Sequence, residues 1–156
     1  MAGDINRDWR LERMAEFERV IGALYKIFAE KLPRHEEFWK KLSAEEEEHA
    51  QWLESFTDLE EAGTASIRTL EFSMREVEEG LDFVKKEFES AKRRDFDAGR
   101  AVDIALLVER SILERKFYKI VGSPSDGVRA LLESLDRGAR EHLARIEGFA
   151  KRRRDD

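Results

Sequence analysis

The chain has 156 residues, enough for one domain with a sizeable hydrophobic core, and 41% of them are charged. It contains no cysteine, which excludes disulfides, thiolate zinc sites, a rubredoxin-type iron centre and a cysteine nucleophile. The formal net charge of −6 argues against nucleic-acid binding, and no run of residues has the apolar length of a membrane span or a signal peptide, so we expect a soluble cytoplasmic protein.

Apolar residues recur every three or four positions along most of the chain, which predicts amphipathic helices. Pro33 is suited to the first turn of a helix, where its missing N–H is tolerated. A break at "EAGTAS" and a second at "GSPSDG" divide the helical segments. No alternating pattern typical of strands competes. The predicted helices span residues 5–32, 34–61, 70–93 and 96–121, followed by a last helix that continues to about residue 151.

These segments predict an all-α protein with one domain covering residues 1–156. Two pairs of long helices, within residues 5–61 and 96–151, are joined by a shorter helical crossover within residues 62–95. Four long helices with one crossover connection predict a four-helix bundle.

The two helix pairs are related by an internal repeat. When residues 25–56 are placed over residues 118–149, an offset of 93, eight of 32 positions are identical. Chance would give roughly two identities at average composition. Upstream, "FERVI" resembles "VERSI" at an offset of 91. The repeat makes His49 and His142 symmetry mates.

The stretch "SAEEEEHAQWL" places four glutamates beside a histidine on the second helix. Glu46 is the only one of the four that shares the apolar stripe of this helix with His49. Glu45 lies at the edge of the stripe, and Glu47 and Glu48 point away from it. Glu46 and His49, three residues apart, therefore face the core together.

The apolar stripe of the first helix also contains one carboxylate, Glu18. Burying a carboxylate costs several kcal/mol unless a cation or hydrogen bonds compensate. Two inward carboxylates and the imidazole of His49 form a site suited to iron or manganese, without excluding zinc. The Glu-x-x-His spacing of Glu46 and His49 is typical of di-iron helix bundles.

The third long helix offers two candidate glutamates, and the sequence leaves both open. The match of "VER" to "FER" indicates Glu109. Counting back from Tyr118 in helical steps of three and four residues instead gives a stripe that contains Leu107 and Glu114. A helix bulge could bring Glu109 inward, so we favour Glu109 and keep Glu114 as an additional ligand.

The stretch "FERVIGALYKIFAEKLPRHEEFWKKLSAEEEEHAQWL" resembles the first helix pair of the rubrerythrins, in the ferritin-like di-iron carboxylate superfamily. The matching features are a glutamate seven residues before a tyrosine (Glu18, Tyr25) and a Glu-x-x-His followed by alanine (Glu46, His49, Ala50). The resemblance implies a ferritin-like four-helix bundle with a helical crossover between the second and third helices. It also implies a non-haem di-iron site to which each helix pair supplies one glutamate and one Glu-x-x-His.

The second half departs from this pattern. His142 matches the family histidine, but Ala139 stands where the family has a glutamate, with Gly138 beside it. One carboxylate that would bridge two metals is therefore missing. We expect two unequal metal positions, of which the one served by the first helix pair fills first.

The resemblance implies an oxidoreductase that reacts with hydrogen peroxide or dioxygen through two iron ions. Without a cysteine-ligated iron centre, it would need an external electron donor. The metal ligands that the residues and the resemblance together indicate are Glu18, Glu46, His49, Glu109, Glu114 and His142.

Two other functions stay open at this point. The bundle could bind and oxidise iron as an iron-handling protein, although nothing indicates a cage, and a homodimer stays open. Alternatively, the site could be degenerate, with one metal ion or none and a structural or protein-binding role, for which Ala139 is the main support. No nucleic-acid or membrane partner is expected.

Overall fold

A computed structural model describes residues 9–61, 74–114 and 126–155, and within these ranges the chain is all-α, with no strand. None of the described helices combines the length and the apolarity that crossing a membrane requires. The predicted helices are confirmed within the described ranges, with ends that differ by a few residues. The elements are α1 (Trp9–Lys31), a short 3-10 helix (Pro33–His35), α2 (Glu36–Glu61), α3 (Met74–Arg93), α4 (Ala98–Glu114) and α5 (Asp126–Asp155).

The helices pack as the two predicted pairs. α1 packs along α2, α4 packs along α5, and α2 contacts α5, which joins the pairs into a bundle. α3 follows the first pair in the chain, packs mainly against α1 and contacts α4. Pro33 begins the 3-10 helix between α1 and α2. Its missing N–H has no cost there, because the first N–H groups of a helix have no partner within the helix.

The predicted apolar stripes face the core on three helices. Each of these stripes also carries an ionisable residue into the core, which is the feature that positions the site. The side chains of Phe56 and Val128 lie outside the described residues. The buried stripe residues are Met14, Glu18, Ile21, Tyr25 and Phe28 on α1, Leu42, Glu46, His49 and Leu53 on α2, and Leu132, Leu135, Ala139, His142, Ile146 and Phe149 on α5.

Of the two alternatives for α4, the stripe through Leu107 is wrong, because Leu107 is 58% exposed. α4 is α-helical from Ala98 to Glu114, so Glu109 faces inward without a helix bulge. Tyr118 and the side chain of Glu114 lie outside the described residues. The face that α4 buries consists mainly of Ala101, Val102, Ala105, Val108, Glu109 and Ile112.

Gly22 allows α1 and α2 to approach closely beside the inward carboxylates. A Cβ at this position would lie 3.2 Å from the carbonyl oxygen of Ser43 and 3.3 Å from Cβ of Glu46. The Ser43 hydroxyl donates a hydrogen bond of 2.7 Å to the carbonyl oxygen of Gly22, which fixes the same contact. The position of Glu46 in the core therefore depends on a glycine in the facing helix.

We expect Gly22→Ala to lower the free energy of unfolding by about 1–2 kcal/mol, because overpacking costs about 1–3 kcal/mol and the gain in helix propensity returns at most about 1 kcal/mol. Urea unfolding followed by circular dichroism measures this. Gly127→Ala is the matched control, since a Cβ there meets no atom within 4 Å. Equal or greater stability of Gly22→Ala relative to Gly127→Ala would contradict the close contact.

Candidate metal centre

Five ionisable side chains from four helices converge in the core. They include five of the six predicted ligands, and each is at most 6% exposed. The side chain of the sixth, Glu114, lies outside the described residues. The converging residues are Glu18 on α1, Glu46 and His49 on α2, Glu109 on α4 and His142 on α5.

Glu46 lies between the two histidines and directs one carboxylate oxygen to each. Its Oε1 is 2.7 Å from Nδ1 of His142, and its Oε2 is 3.4 Å from Nδ1 of His49. A second glutamate lies near the same nitrogen of each histidine: Glu109 Oε1 is 3.5 Å from Nδ1 of His142, and Glu18 Oε2 is 3.8 Å from Nδ1 of His49. The two imidazole rings stack with centroids 5.1 Å apart. Both Nδ1 atoms thus face the same group of carboxylates.

Matching ion pairs on the two helix pairs show that the sequence repeat is also structural. Arg19 on α1 pairs with Glu54 on α2, and Arg110 on α4 pairs with Glu147 on α5 at 3.5 Å. Each arginine directly follows the inward glutamate of its helix. The ion pairs therefore identify Glu109 as the repeat-related partner of the inward glutamate on α1, which the sequence left open.

Tyr25 holds Glu109 from the side of α1. Its hydroxyl donates a hydrogen bond of 2.8 Å to Oε1 of Glu109. Burial raises the pKa of Tyr25, and the negative charges of Glu109 and Glu46 raise it further. Tyr25 therefore keeps its proton at neutral pH and remains a hydrogen-bond donor to the carboxylate.

The carboxylates and histidines shift each other's ionisation. Burial raises the pKa of Glu46 well above its usual range, and the neighbouring charges of Glu18 and Glu109 add to this. Burial lowers the pKa of His49, but the attraction of Glu18 and Glu46 outweighs it and raises the pKa to about 10. Burial also lowers the pKa of His142, but the attraction of Glu109 and Glu46 outweighs it and raises the pKa to about 11. Both histidines are therefore cations at neutral pH without a metal.

The donor set fits a divalent metal ion. One ligand atom from each of Glu46, His49 and His142 lies within 4.8 Å of the other two. Oε2 of Glu46 and Oε2 of Glu109 are buried and accept no hydrogen bond from the part of the chain that the structure describes. A metal ion could satisfy these oxygens and replace the positive charge of the histidine protons. Carboxylate oxygen with imidazole nitrogen suits iron, manganese or zinc.

Ala139 is buried at the position where the repeat and the family resemblance place a glutamate. Its methyl group offers no ligand atom, so α5 brings only His142 to the site. The two halves of the site therefore differ in their donors, although their helices are related by the repeat.

Sequence reasoning missed Glu45 and Arg145. Oε2 of Glu45 lies 3.5 Å from Nε2 of His142 and accepts a hydrogen bond of 2.6 Å from Arg145. The edge position of Glu45 on α2 was predicted, but not its partners. One signal was available: Arg145 follows His142 by three residues and therefore shares its side of α5.

Scans against protein-family models, curated proteins and solved structures found no match to this chain. No relative therefore supplies a function or a ligand set.

We expect Zn²⁺ binding to release protons at pH 7, because His49 and His142, with pKa values of about 10 and 11, must lose a proton from Nδ1 to bind a metal. The affinity should therefore rise between about pH 6 and pH 9. Calorimetric titration in two buffers of different ionisation enthalpy measures the release.

Substitution of the third histidine, His35→Asn, serves as the control and should release as many protons as the unmodified chain. His35 packs against Phe149 and lies outside the cluster. Zinc uptake with no proton release, or an affinity that does not change with pH, would contradict the assignment of the two histidines.

Proposed function

We propose that this chain is a ferritin-like, rubrerythrin-like bundle that binds non-haem iron and acts as an oxidoreductase toward hydrogen peroxide or dioxygen. The observation that carries the proposal is the convergence of three buried glutamates and two buried histidines from four helices. Such a group is costly to bury and contributes no apolar packing, so a function in metal binding best explains it.

Glu18, Glu46, His49, Glu109 and His142 would hold the metal. Two ferrous ions bound there would supply the two electrons that reduce hydrogen peroxide to two water molecules, with two protons taken up.

The protein's own contribution is to position the ligands and to exclude bulk water. Glu46 is placed to serve both metal positions, because each of its oxygens faces a different histidine. Tyr25 keeps Glu109 oriented through its hydrogen bond. The 156 residues contain no cysteine, so turnover needs an external electron donor.

Chain loaded with Fe²⁺ without oxygen should consume hydrogen peroxide in proportion to its bound iron. Glu46→Ala should abolish most of the iron binding and this consumption while keeping the helical circular dichroism spectrum, because the shared carboxylate is gone. Peroxide loss and iron oxidation are followed by colorimetric assay and absorbance.

Glu48→Ala is the matched control, because Glu48 is an exposed glutamate on the same helix. It should behave as the unmodified chain does. Iron-loaded chain that consumes neither peroxide nor dioxygen would rule out the oxidoreductase proposal, and unchanged iron content in Glu46→Ala would rule out the site.

A second candidate function is a site for a single metal ion. Two observations favour it: Glu46, His49 and His142 alone place three ligand atoms within 4.8 Å of one another, and Ala139 supplies no second shared carboxylate. Two histidines and one carboxylate are also the ligands of mononuclear non-haem iron sites.

Ala139→Glu tests which candidate applies. In the unmodified chain we expect one tight and one weak metal position, and the variant should raise the occupancy of the weak one by adding a carboxylate beside His142. Metal analysis and anomalous scattering from crystals give the number and occupancy of the ions. Circular dichroism verifies folding, because Ala139 is 4% exposed and the longer side chain must displace its neighbours.

Ala144→Glu adds the same charge to the exposed face of α5 and should leave the metal content unchanged. A single metal ion in both the unmodified chain and Ala139→Glu would favour the mononuclear candidate. Two equally tight ions in the unmodified chain would show that our account of Ala139 is wrong.

A further inference from the structure

The outer nitrogens of the two histidines have different surroundings. Nε2 of His142 faces the carboxylate of Glu45, at 3.5 Å, and Arg145 donates a hydrogen bond of 2.6 Å to that same carboxylate oxygen. Nε2 of His49 faces the backbone of Gly138, where a Cβ would lie only 2.6 Å from it. The inner nitrogens, by contrast, both face the buried glutamates.

This difference falls on one pair of repeat-related positions. Glu45 plus the offset of 93 is residue 138, so Gly138 occupies in the second half the place that Glu45 occupies in the first. Both positions lie against the outer nitrogen of the histidine on the facing helix. At this pair of positions the chain therefore has a carboxylate behind His142 and a glycine, without a side chain, behind His49.

A carboxylate behind an imidazole determines which nitrogen can bind a metal. When Nε2–H donates to an acceptor, the lone pair is left on Nδ1, and the ring becomes a stronger base and keeps one orientation. Glu45 is well suited to this role because Arg145 holds its carboxylate in place. Glu45 and Arg145 are 30% and 31% exposed, so this pair also links the buried histidine to the surface.

We propose that Glu45, held by Arg145, is a positioning residue that keeps the proton of His142 on Nε2 and presents Nδ1 to the metal. The proposal rests on the proposed metal-binding function and deepens it. The residue that orients His142 thus lies on α2, the facing helix. At the corresponding positions α5 itself has Ala139 and Gly138, which carry no polar side chain. At the repeat-related place, Gly138 puts backbone without a side chain beside Nε2 of His49.

The alternative is that Glu45 and Arg145 form only an ion pair between α2 and α5. The two explanations differ in what glutamine does at residue 45. Glutamine and alanine both delete the ion pair, but glutamine keeps an oxygen that can accept the proton of His142 Nε2. A positioning role therefore predicts that glutamine restores part of what alanine loses.

The test is the affinity for Zn²⁺, measured by competition with a chromophoric chelator, in Glu45→Ala, Glu45→Gln, Arg145→Gln and the double variant Glu45→Ala/Arg145→Gln. We expect Glu45→Ala to weaken zinc binding about 10- to 100-fold and Glu45→Gln to weaken it less. Arg145→Gln alone should weaken zinc binding only slightly. The double variant should bind zinc as weakly as Glu45→Ala does, because Arg145 acts through Glu45. Glu48→Gln is the control and should bind as the unmodified chain does.

Two further measurements separate positioning from packing. Nitrogen-15 NMR of the zinc-bound chain should show His142 protonated on Nε2, and this signal should shift in Glu45→Ala. The urea midpoint of the metal-free variants should stay close to that of the unmodified chain.

Zinc binding as tight in Glu45→Ala as in the unmodified chain would overturn the inference while leaving the proposed function intact. Equal losses in Glu45→Ala and Glu45→Gln, or a matching loss of metal-free stability, would overturn it in favour of the ion pair. An additive effect of Arg145→Gln in the double variant would overturn the role of Arg145. Absence of zinc and iron binding in the unmodified chain would instead show that the proposed function fails.

Discussion

The burial of three neighbouring carboxylates is the constraint on which the rest of this structure depends. Glu18, Glu46 and Glu109 are each at most 1% exposed, and like charges so close together in a core of low dielectric cannot all stay ionised unless cations offset them. Without a metal, His49 and His142 supply those cations, which is why their pKa values are raised despite burial. The same arrangement prepares the site to exchange protons for a metal ion.

The structure combines a symmetric scaffold with asymmetric chemistry. The first helix pair brings Glu18, Glu46 and His49 inward, and the second brings Glu109 and His142. The ion pairs Arg19–Glu54 and Arg110–Glu147 repeat across the bundle. Where α2 has Glu45 and Glu46, however, α5 has glycine and alanine. The helices can still pack, because glycine and alanine are small and allow a close approach. The second half of the site, however, lacks both the carboxylate that two metal ions would share and the one that would face an outer histidine nitrogen. The two helix pairs are therefore related in backbone but differ in the metal ligands that they provide.

An aromatic cluster packs beside Tyr25, which contacts the site. Trp39 is fully buried and packs against Tyr25, Phe28 and Phe149, with ring centroids 5.5, 5.0 and 6.0 Å away. Trp39 and Phe28 both pack against the ring of Tyr25, whose hydroxyl donates to Glu109. In such an apolar environment each electrostatic contact is stronger than it would be in water. Apolar packing thus contributes to the chemistry of the site as well as to stability.

The sequence by itself determined the helices, their inward faces on α1, α2 and α5, and the inward direction of Glu46 and His49. Periodicity along one helix is sufficient for these, because it relates side chains that share a rigid backbone. The sequence favoured Glu109 over Glu114 without excluding the alternative stripe through Leu107, since a helix with apolar residues on several sides does not specify which side is covered. Nor did it indicate that Glu45 and Gly138 lie behind the histidines. These contacts join residues about 90 positions apart and depend on how far each helix is rotated and how closely α2 approaches α5, which only the tertiary packing decides.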